Sequence, residues 1–251
     1  MSTYALQTKN LFKKFGGFVA TNDVTLNVEQ GARHALIGPN GAGKTTLINL
    51  LTGFLEPSAG NVILKGRDVT RLPQHQRVKQ GLVRTFQINR LFADMTVIES
   101  VTLAVAERLG LGKRWWKPIG AFDEATEEAA ELLVKLRLAD VANERTKNLA
   151  YGKQRLIEIA LALAAKPQVL LLDEPAAGVP TGESRELFET IAGLPKDVTI
   201  LLIEHDMDLV FRFADRISVL VSGALLVEDT PEVIATHPLV KEVYLGEAAH
   251  V

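Results

Sequence analysis

The sequence predicts an α/β fold with a core sheet, an N-terminal antiparallel β region and an inserted helical region. Residues 38–46 form a glycine-rich loop between an apolar strand pattern and an apolar helix pattern. Strand-like apolar runs at 169–173 and 198–203 return later in the chain, as in a parallel sheet. Helical periodicity dominates residues 97–165, which indicates a helical lobe inserted into the core.

The composition is that of one large domain or of one domain with two lobes. The chain has 251 residues and a formal net charge of −2, so its bulk charge gives no reason to expect nucleic acid as a partner. It contains no cysteine, which excludes disulfides and thiolate metal sites and suits a reducing cytoplasm. We find no signal-peptide pattern, and the longest apolar run, 159–165, is too short to span a bilayer.

The N-terminal stretch predicts two strands, at 4–11 and 24–28, with a turn at Gly16-Gly17 between them. Phe15 stands immediately before this turn. An aromatic ring here could stack on an adenine base, because every base offers a π-face. A packed core position is the alternative interpretation.

The glycine-rich loop matches the phosphate-loop pattern G-x-x-x-x-G-K-[ST]. It consists of Gly38, Pro39, Asn40, Gly41, Ala42, Gly43, Lys44, Thr45 and Thr46. Its glycines let backbone N–H groups point inward, and the following helix adds free N–H groups and a positive dipole end. We expect Lys44 to reach the β- and γ-phosphates of a nucleotide and the Thr45 hydroxyl to ligate Mg²⁺.

Two later strand patterns end in residues that can carry chemistry. One ends in Asp173 and Glu174, and the other is followed by His205. Parallel strands present ligands at their carboxyl ends, so we expect Asp173 to hold the Mg²⁺ shell, Glu174 to orient the attacking water and His205 to contact the γ-phosphate. The remaining histidines, interpreted as structural or solvent-exposed, are His34, His75, His237 and His250.

A mixed cationic and aromatic segment, 113–117, contains both tryptophans, Trp115 and Trp116. A surface loop whose rings cover a helix is one interpretation, and contact with a membrane surface or a partner's loop is the other. The chain closes with a hairpin turn at Ser222-Gly223 and an amphipathic tail over 231–246.

The order of these motifs resembles that of the ATP-binding cassette (ABC) ATPases across essentially the whole chain. Leu149-Ala150-Tyr151-Gly152-Lys153-Gln154 looks like the signature of that family, which is usually Leu-Ser-Gly-Gly-Gln. Three further segments are similar to the G-type ATPase subunit of branched-chain amino acid importers: Arg84-Thr85-Phe86-Gln87, Glu174-Pro175-Ala176-Ala177-Gly178 and Ile203-Glu204-His205-Asp206-Met207.

This resemblance implies a P-loop NTPase (RecA-like) core over 1–87 and 166–230, a helical signature subdomain over 88–165 and a C-terminal tail over 231–251. It also implies roles for single residues. Phe15 would stack on adenine, Gln87 would contact Mg²⁺ and water and link the two lobes, and His205 would be the switch histidine. The signature residues, which would cover ATP held by a second subunit, are Ala150, Tyr151, Gly152 and Lys153.

The implied function is ATP hydrolysis, with ATP and Mg²⁺, in an importer of branched-chain or other hydrophobic amino acids or related small polar solutes. Alternatives are an ATPase of lipid or lipopolysaccharide export and a non-transport ABC ATPase. The implied partners are a second ATPase subunit, identical or paralogous, two transmembrane permease subunits and, indirectly, an extracytoplasmic solute-binding protein. The chain would lie at the cytoplasmic face of the inner membrane, attached peripherally.

Two residues depart from the general pattern of the family. Ala150 replaces the signature serine, whose hydrogen bond to a charged phosphate would contribute roughly 1.5–3 kcal/mol. Backbone N–H groups near Tyr151 and Gly152 could compensate. Pro180 stands in the interface loop, Val179-Pro180, where many relatives carry Asp or Asn, and it cannot supply that side-chain contact.

Overall fold

The computed structural model describes residues 3–85, 92–111 and 123–248. Gln87 and the tryptophan pair lie outside these residues. The chain forms two compact units, which are Met1–Leu82, Gln168–Glu174 and Lys196–Val251 in the first, and Val83–Pro167 and Pro175–Pro195 in the second. The division expected from the family resemblance, with the core over 1–87 and 166–230 and the helical subdomain over 88–165, stays a prediction.

The described strands alternate with helices along much of the chain. The strands are β1 (Tyr4–Phe15), β2 (Phe18–Val24), β3 (Asn27–Glu29), β4 (Arg33–Ile37), β5 (Ala59–Leu64), β6 (Arg67–Asp68), β7 (Leu82–Arg84), β8 (Val169–Asp173), β9 (Thr199–Ile203), β10 (Arg216–Val221) and β11 (Ala224–Asp229). The α-helices are α1 (Lys44–Thr52), α2 (Gln74–Lys79), α3 (Val97–Arg108), α4 (Asp123–Lys135), α5 (Tyr151–Ala164), α6 (Thr181–Ala192), α7 (Met207–Phe213), α8 (Pro231–Thr236) and α9 (Pro238–Ala248).

The strands form two sheets. One has the order β2-β1-β5-β6, with β3 also paired to β1, and its pairs are antiparallel. The other has the order β11-β10-β4-β9-β8-β7, and its central strands β10, β4, β9 and β8 run parallel. The predicted fold class, an α/β core with an antiparallel β region and a helical part, is confirmed.

Strand β4, which leads into the glycine-rich loop, is buried on both faces. Alternate residues of a strand point to opposite faces, and Leu36 belongs to the core cluster that contains Leu47 of α1. Ala35 and Ile37 belong to the other cluster, together with residues of α7, α8 and α9. The strand is therefore fixed between two apolar layers, which explains its continuous apolar run.

The C-terminus of α1 is capped by a buried arginine from α2. Arg77 is 1% exposed and donates hydrogen bonds to the carbonyl oxygens of Leu50 (2.7 Å), Leu51 (2.6 Å), Leu72 (2.9 Å) and Thr70 (2.7 Å). Burial lowers the pKa of this guanidinium to about 10. A positive group at this end complements the helix dipole, so Arg77 fixes the end of α1 opposite to the glycine-rich loop.

A buried histidine lies in β4, just before the loop. Ser218 Oγ donates to Glu228 Oε2 at 2.9 Å and lies 2.8 Å from His34 Nε2. Burial, and secondly the charge of Arg216, lower the pKa of His34 to about 4. His34 is therefore a neutral core residue at pH 7, in agreement with its interpretation as structural.

The second unit is built around α3, α4, α5 and α6. Helix α3 begins with a capping box, in which Thr96 Oγ1 accepts from Glu99 N and Glu99 Oε2 accepts from Thr96 N. Arg108 joins three helices, because it donates to Ala164 O at 2.8 Å and to Glu128 Oε2 at 2.6 Å. None of the described helices is both long and apolar enough to cross a membrane.

Candidate functional site

The ends of three neighbouring strands meet at one edge of the six-stranded sheet. Leu36 of β4 and Asp173 of β8 both pair in register with Ile203 of β9. The glycine-rich loop, Glu174 and the segment after β9 therefore start from the same edge. This is the edge at which parallel sheets place their ligands.

The loop conformation requires glycine at two positions of the motif. Gly43 has φ of 100°, and a Cβ there would lie 2.6 Å from Ala20 O. A Cβ on Gly38 would collide with the carbonyl oxygen of Leu220. Both sites combine a backbone angle that L-residues rarely adopt with a close backbone neighbour. The spacing of the motif therefore reflects the space available to the loop.

Two hairpins support the loop from outside. Gly223 N donates to Ala42 O at 2.9 Å, and Asn22 N donates to Gly223 O at 2.7 Å. The first donor lies in the β10–β11 turn and the second in β2. The β10–β11 turn thus donates directly to the loop, and β2 donates to that turn.

The loop opens into a cavity of about 470 Å³. Its lining includes predicted site residues from two parts of the chain, namely Asn40, Gly41, Ala42, Gly43, Lys44, Thr45, Thr46 and Glu174. The sequence analysis missed the other lining residues, which are Phe18, Val19, Ala20, Ser222 and Gly223. Phe15 pairs with Phe18 across the β1–β2 turn but is not part of the lining.

The loop presents backbone donors and a positive charge. The N-cap of α1 is Gly43, which has no side chain that could cap the helix, and the first N–H groups of a helix have no acceptor within the helix. Lys44 Nζ donates back across the loop to Gly38 O (2.5 Å) and Pro39 O (3.0 Å). Helix N–H groups and an ammonium together form an anion site, which fits the phosphates of a nucleotide.

Glu174 has an unusual backbone conformation. Its φ is 48°, in the left-handed region, and its N–H donates to Ile203 O at 2.9 Å. Non-glycine residues in this region cluster at functional sites, where the surrounding structure holds them in place. This conformation brings Glu174 to the wall of the cavity that Lys44 also lines.

The oxygen ligands near the cavity suit Mg²⁺. Thr45 is exposed at the start of α1, and Asp173 is 8% exposed at the end of β8. The described residues contain no group of three or more His, Cys, Asp or Glu side chains placed to hold a metal. Mg²⁺ commonly binds through one or two protein oxygens together with substrate phosphates and water, which this pair can provide.

His205 lies next to the buried carboxylate of Glu204. Its side chain is 70% exposed, whereas the side chain of Glu204 is fully buried. His205 N donates to Glu204 Oε2 at 3.2 Å, and His205 Nδ1 lies 3.7 Å from the same oxygen. The imidazole of His205 is therefore exposed to solvent at the loop's edge of the sheet, next to the buried carboxylate of Glu204. The sequence analysis gave Glu204 no role.

The signature segment lies in the second unit, at the start of α5. Ala150 is the N-cap, and its methyl group makes no capping hydrogen bond. Gly152 N donates instead to Glu183 Oε2 of α6, at 2.8 Å. The ring of Tyr151 lies 5.1 Å from the Arg155 guanidinium carbon, a cation–π distance. The start of this helix is thus capped by another helix and not by its own first residue.

A family model described as ABC transporter matches residues 21–177. The chain belongs to the ABC transporter family. It is 46% identical over 255 residues to the high-affinity branched-chain amino acid transport ATP-binding protein LivG of Salmonella typhimurium, covering 99% of this chain and all of LivG. It is 44% identical over 257 residues to the corresponding protein BraF of Pseudomonas aeruginosa, with the same coverage.

Solved ABC transporter structures have the same fold. The ADP conformation of MJ1267, an ATP-binding cassette, has a TM-score of 0.85 and 33% identity, and the match covers 98% of this chain and all of MJ1267. A dimeric post-hydrolysis state of the cassette MJ0796, bound to ADP and Pi, has a TM-score of 0.72 and 26% identity, covering 90% and 98%. The resemblance identified from the motifs is confirmed, and the chain is an ABC ATPase.

Proposed function

We propose that this chain is the ATP-hydrolysing subunit of a membrane importer for branched-chain or other hydrophobic amino acids or related small polar solutes. The observation that carries the proposal is the cavity lined by Lys44, Thr45 and Glu174. The likeness over nearly the whole chain to proteins named for branched-chain amino acid transport favours import over lipid or lipopolysaccharide export.

In this proposal the glycine-rich loop binds the phosphates and Phe15 stacks on the adenine ring. Lys44 contacts the β- and γ-phosphates. Thr45, Asp173 and Gln87 would hold Mg²⁺, which when bound would neutralise part of the phosphate charge. The start of α1 at the loop and the position of Lys44 in the cavity lining support this arrangement, since helix N–H groups and an ammonium both donate to anions.

Glu174 would orient the attacking water and accept its proton as the water oxygen bonds to the γ-phosphorus and the bond from that phosphorus to the β–γ bridging oxygen breaks, which releases ADP and phosphate. His205 would hydrogen-bond the γ-phosphate, with Glu204 fixing its orientation. Lys44 and the N-terminus of α1 would stabilise the charge that develops on the phosphate oxygens. The left-handed backbone of Glu174 supports its role, because it directs this carboxylate to the cavity.

Catalysis would require a dimer. The signature segment, Ala150 to Lys153, would cover ATP held by a second ATPase subunit, identical or paralogous. The pair would act with two transmembrane permease subunits and, indirectly, an extracytoplasmic solute-binding protein, and it would lie peripherally at the cytoplasmic face of the inner membrane. Gln87 would lie where the closing motion of the ATPase dimer is transmitted to a permease subunit. The dimeric ADP- and Pi-bound state of MJ0796 supports such pairing.

Glu174→Gln tests the central assignment. We expect the variant to bind ATP with unchanged affinity but to release no phosphate from it. With Mg-ATP the variant should sediment as a dimer. Glu29→Gln is the matched control, because Glu29 is an exposed carboxylate of the same unit. Turnover at the wild-type rate in Glu174→Gln would exclude the assigned base.

The transport assignment is tested separately, by uptake of labelled leucine in cells whose only copy of this protein carries Glu174→Gln. Normal uptake in these cells would contradict the transport assignment.

A further inference from the structure

We propose that the Glu183 carboxylate occupies the start of the signature helix in the nucleotide-free chain and must leave before this helix can close on ATP. This inference rests on the proposed function, because it concerns the signature residues that would cover the nucleotide of a second subunit. It makes Glu183 a positioning residue for dimer closure. Its side chain takes part in no chemical step.

Helix α5 needs an acceptor from elsewhere. The first N–H groups of a helix have no partner within the helix, and Ser at the N-cap would normally accept one of them. Ala150 cannot, and the acceptor of the Gly152 N–H is Glu183 Oε2, at 2.8 Å. Glu183 lies 31 residues further along the chain, in α6. A carboxylate at a helix N-terminus is also favoured by the helix dipole.

The contact depends on a close approach of the two helices. A Cβ on Gly152 would lie 2.7 Å from Glu183 Oε2 and 3.0 Å from Glu183 Cβ. Only glycine therefore allows this carboxylate to reach the N–H. Gly152 is buried and Glu183 is half-buried, so the bond is shielded more than an ordinary surface contact.

The neighbouring cations do not neutralise Glu183. Lys153 Nζ lies 2.6 Å from Asp140 Oδ2, and Arg137 lies 3.9 Å from Glu189 Oε2. Within the described residues Glu183 forms no ion pair. Its charge therefore faces the signature helix start with little compensation beyond the N–H groups and the helix dipole.

One N–H group cannot donate fully to two anions. A phosphate that approaches Gly152 from a second subunit would compete with Glu183 for the same hydrogen, and the two negative charges would repel each other. Closure therefore requires the Glu183 side chain to rotate away. The displacement occurs twice in a symmetric dimer, once at each nucleotide.

The test compares ATP-dependent dimers in the Glu174→Gln chain. Sedimentation with Mg-ATP gives the dimer dissociation constant with and without Glu183→Gln, which keeps an acceptor oxygen but removes the charge. We expect dimerisation about three- to thirtyfold tighter, because two helix starts each lose an anion that favours the open state. Glu186→Gln is the control, since Glu186 lies on the same helix as Glu183, lines the small cavity at the start of the signature helix together with it, and is exposed. It should leave the constant unchanged.

A second measurement follows the contact itself. Hydrogen exchange of the Gly152 amide should be faster in Glu183→Ala than in the parent chain and unchanged in Glu186→Ala. Equal dimer affinity with and without Glu183→Gln, equal tightening by the control, or an unchanged exchange rate of the Gly152 amide in Glu183→Ala would each overturn the inference. The proposed function is judged separately, by Glu174-dependent hydrolysis and leucine uptake.

Discussion

Replacing Arg77 with methionine should destabilise the first unit by about 3–5 kcal/mol, because several backbone carbonyl groups lose their charged hydrogen-bond donor. Its guanidinium donates four hydrogen bonds of 2.6–2.9 Å to backbone carbonyl oxygens. Each such bond from a charged donor contributes about 1.5–3 kcal/mol. Desolvation, which lowers the pKa of Arg77 to about 10, offsets part of this gain. Methionine fills similar space but leaves all four carbonyl groups without that donor.

Urea unfolding followed by circular dichroism measures this loss. Lys79→Met is the matched control, since Lys79 lies exposed on the same short helix, and it should change the free energy of unfolding by less than about 0.5 kcal/mol. We also expect weaker ATP binding in Arg77→Met, because α1 carries the N–H donors of the loop. A loss below about 1 kcal/mol would show that these four bonds do not hold the helix end.

Three further predictions concern the loop and its strand. Lys44→Ala should weaken ATP binding by at least about tenfold, since a charged hydrogen-bond donor to phosphate is lost, and unchanged affinity in equilibrium dialysis would remove the phosphate-loop assignment. Gly43→Ala should weaken binding as well, because its Cβ would meet Ala20 O; a crystal structure with an unchanged loop would contradict this. His34 has a folded pKa of about 4, below its ordinary value of about 6.5, so the unfolded chain binds more protons between these values. Stability in urea should fall by about 2 kcal/mol from pH 7 to pH 5, and an equal fall in His34→Gln would assign the effect to another group.

The parts of the site that could be predicted from sequence are those with local signals. The glycine-rich loop has fixed spacing and a strand and a helix on its two sides. Asp173 and Glu174 follow an apolar run that can only be a buried strand or helix. In contrast, Phe18 and Gly223 lie in hairpins that are distant from the loop in sequence. They line the cavity only because the fold brings these hairpins next to the loop. No local pattern marks such residues.

The sequence also does not show which helices pack against one another. Helix α6 follows β8 and precedes β9, within the range 166–230 that the family resemblance assigned to the core. The structure groups it with α5, and the Gly152–Glu183 hydrogen bond joins these two helices. An apolar stripe shows that a helix has a buried face, but it does not show which element covers that face. Arg77 is a similar case, because an arginine in a short polar helix predicts an exposed residue.

The left-handed backbone at Glu174 has a consequence for selection. An L-residue in this conformation costs about 1–2 kcal/mol relative to the right-handed one, whereas glycine adopts it freely. Glycine at this position would relieve this strain, and in the proposed mechanism it would also remove the carboxylate that activates water. A screen of random variants for heat resistance alone would therefore favour variants that lack this carboxylate. A screen that also requires growth on the transported solute would favour variants that keep it.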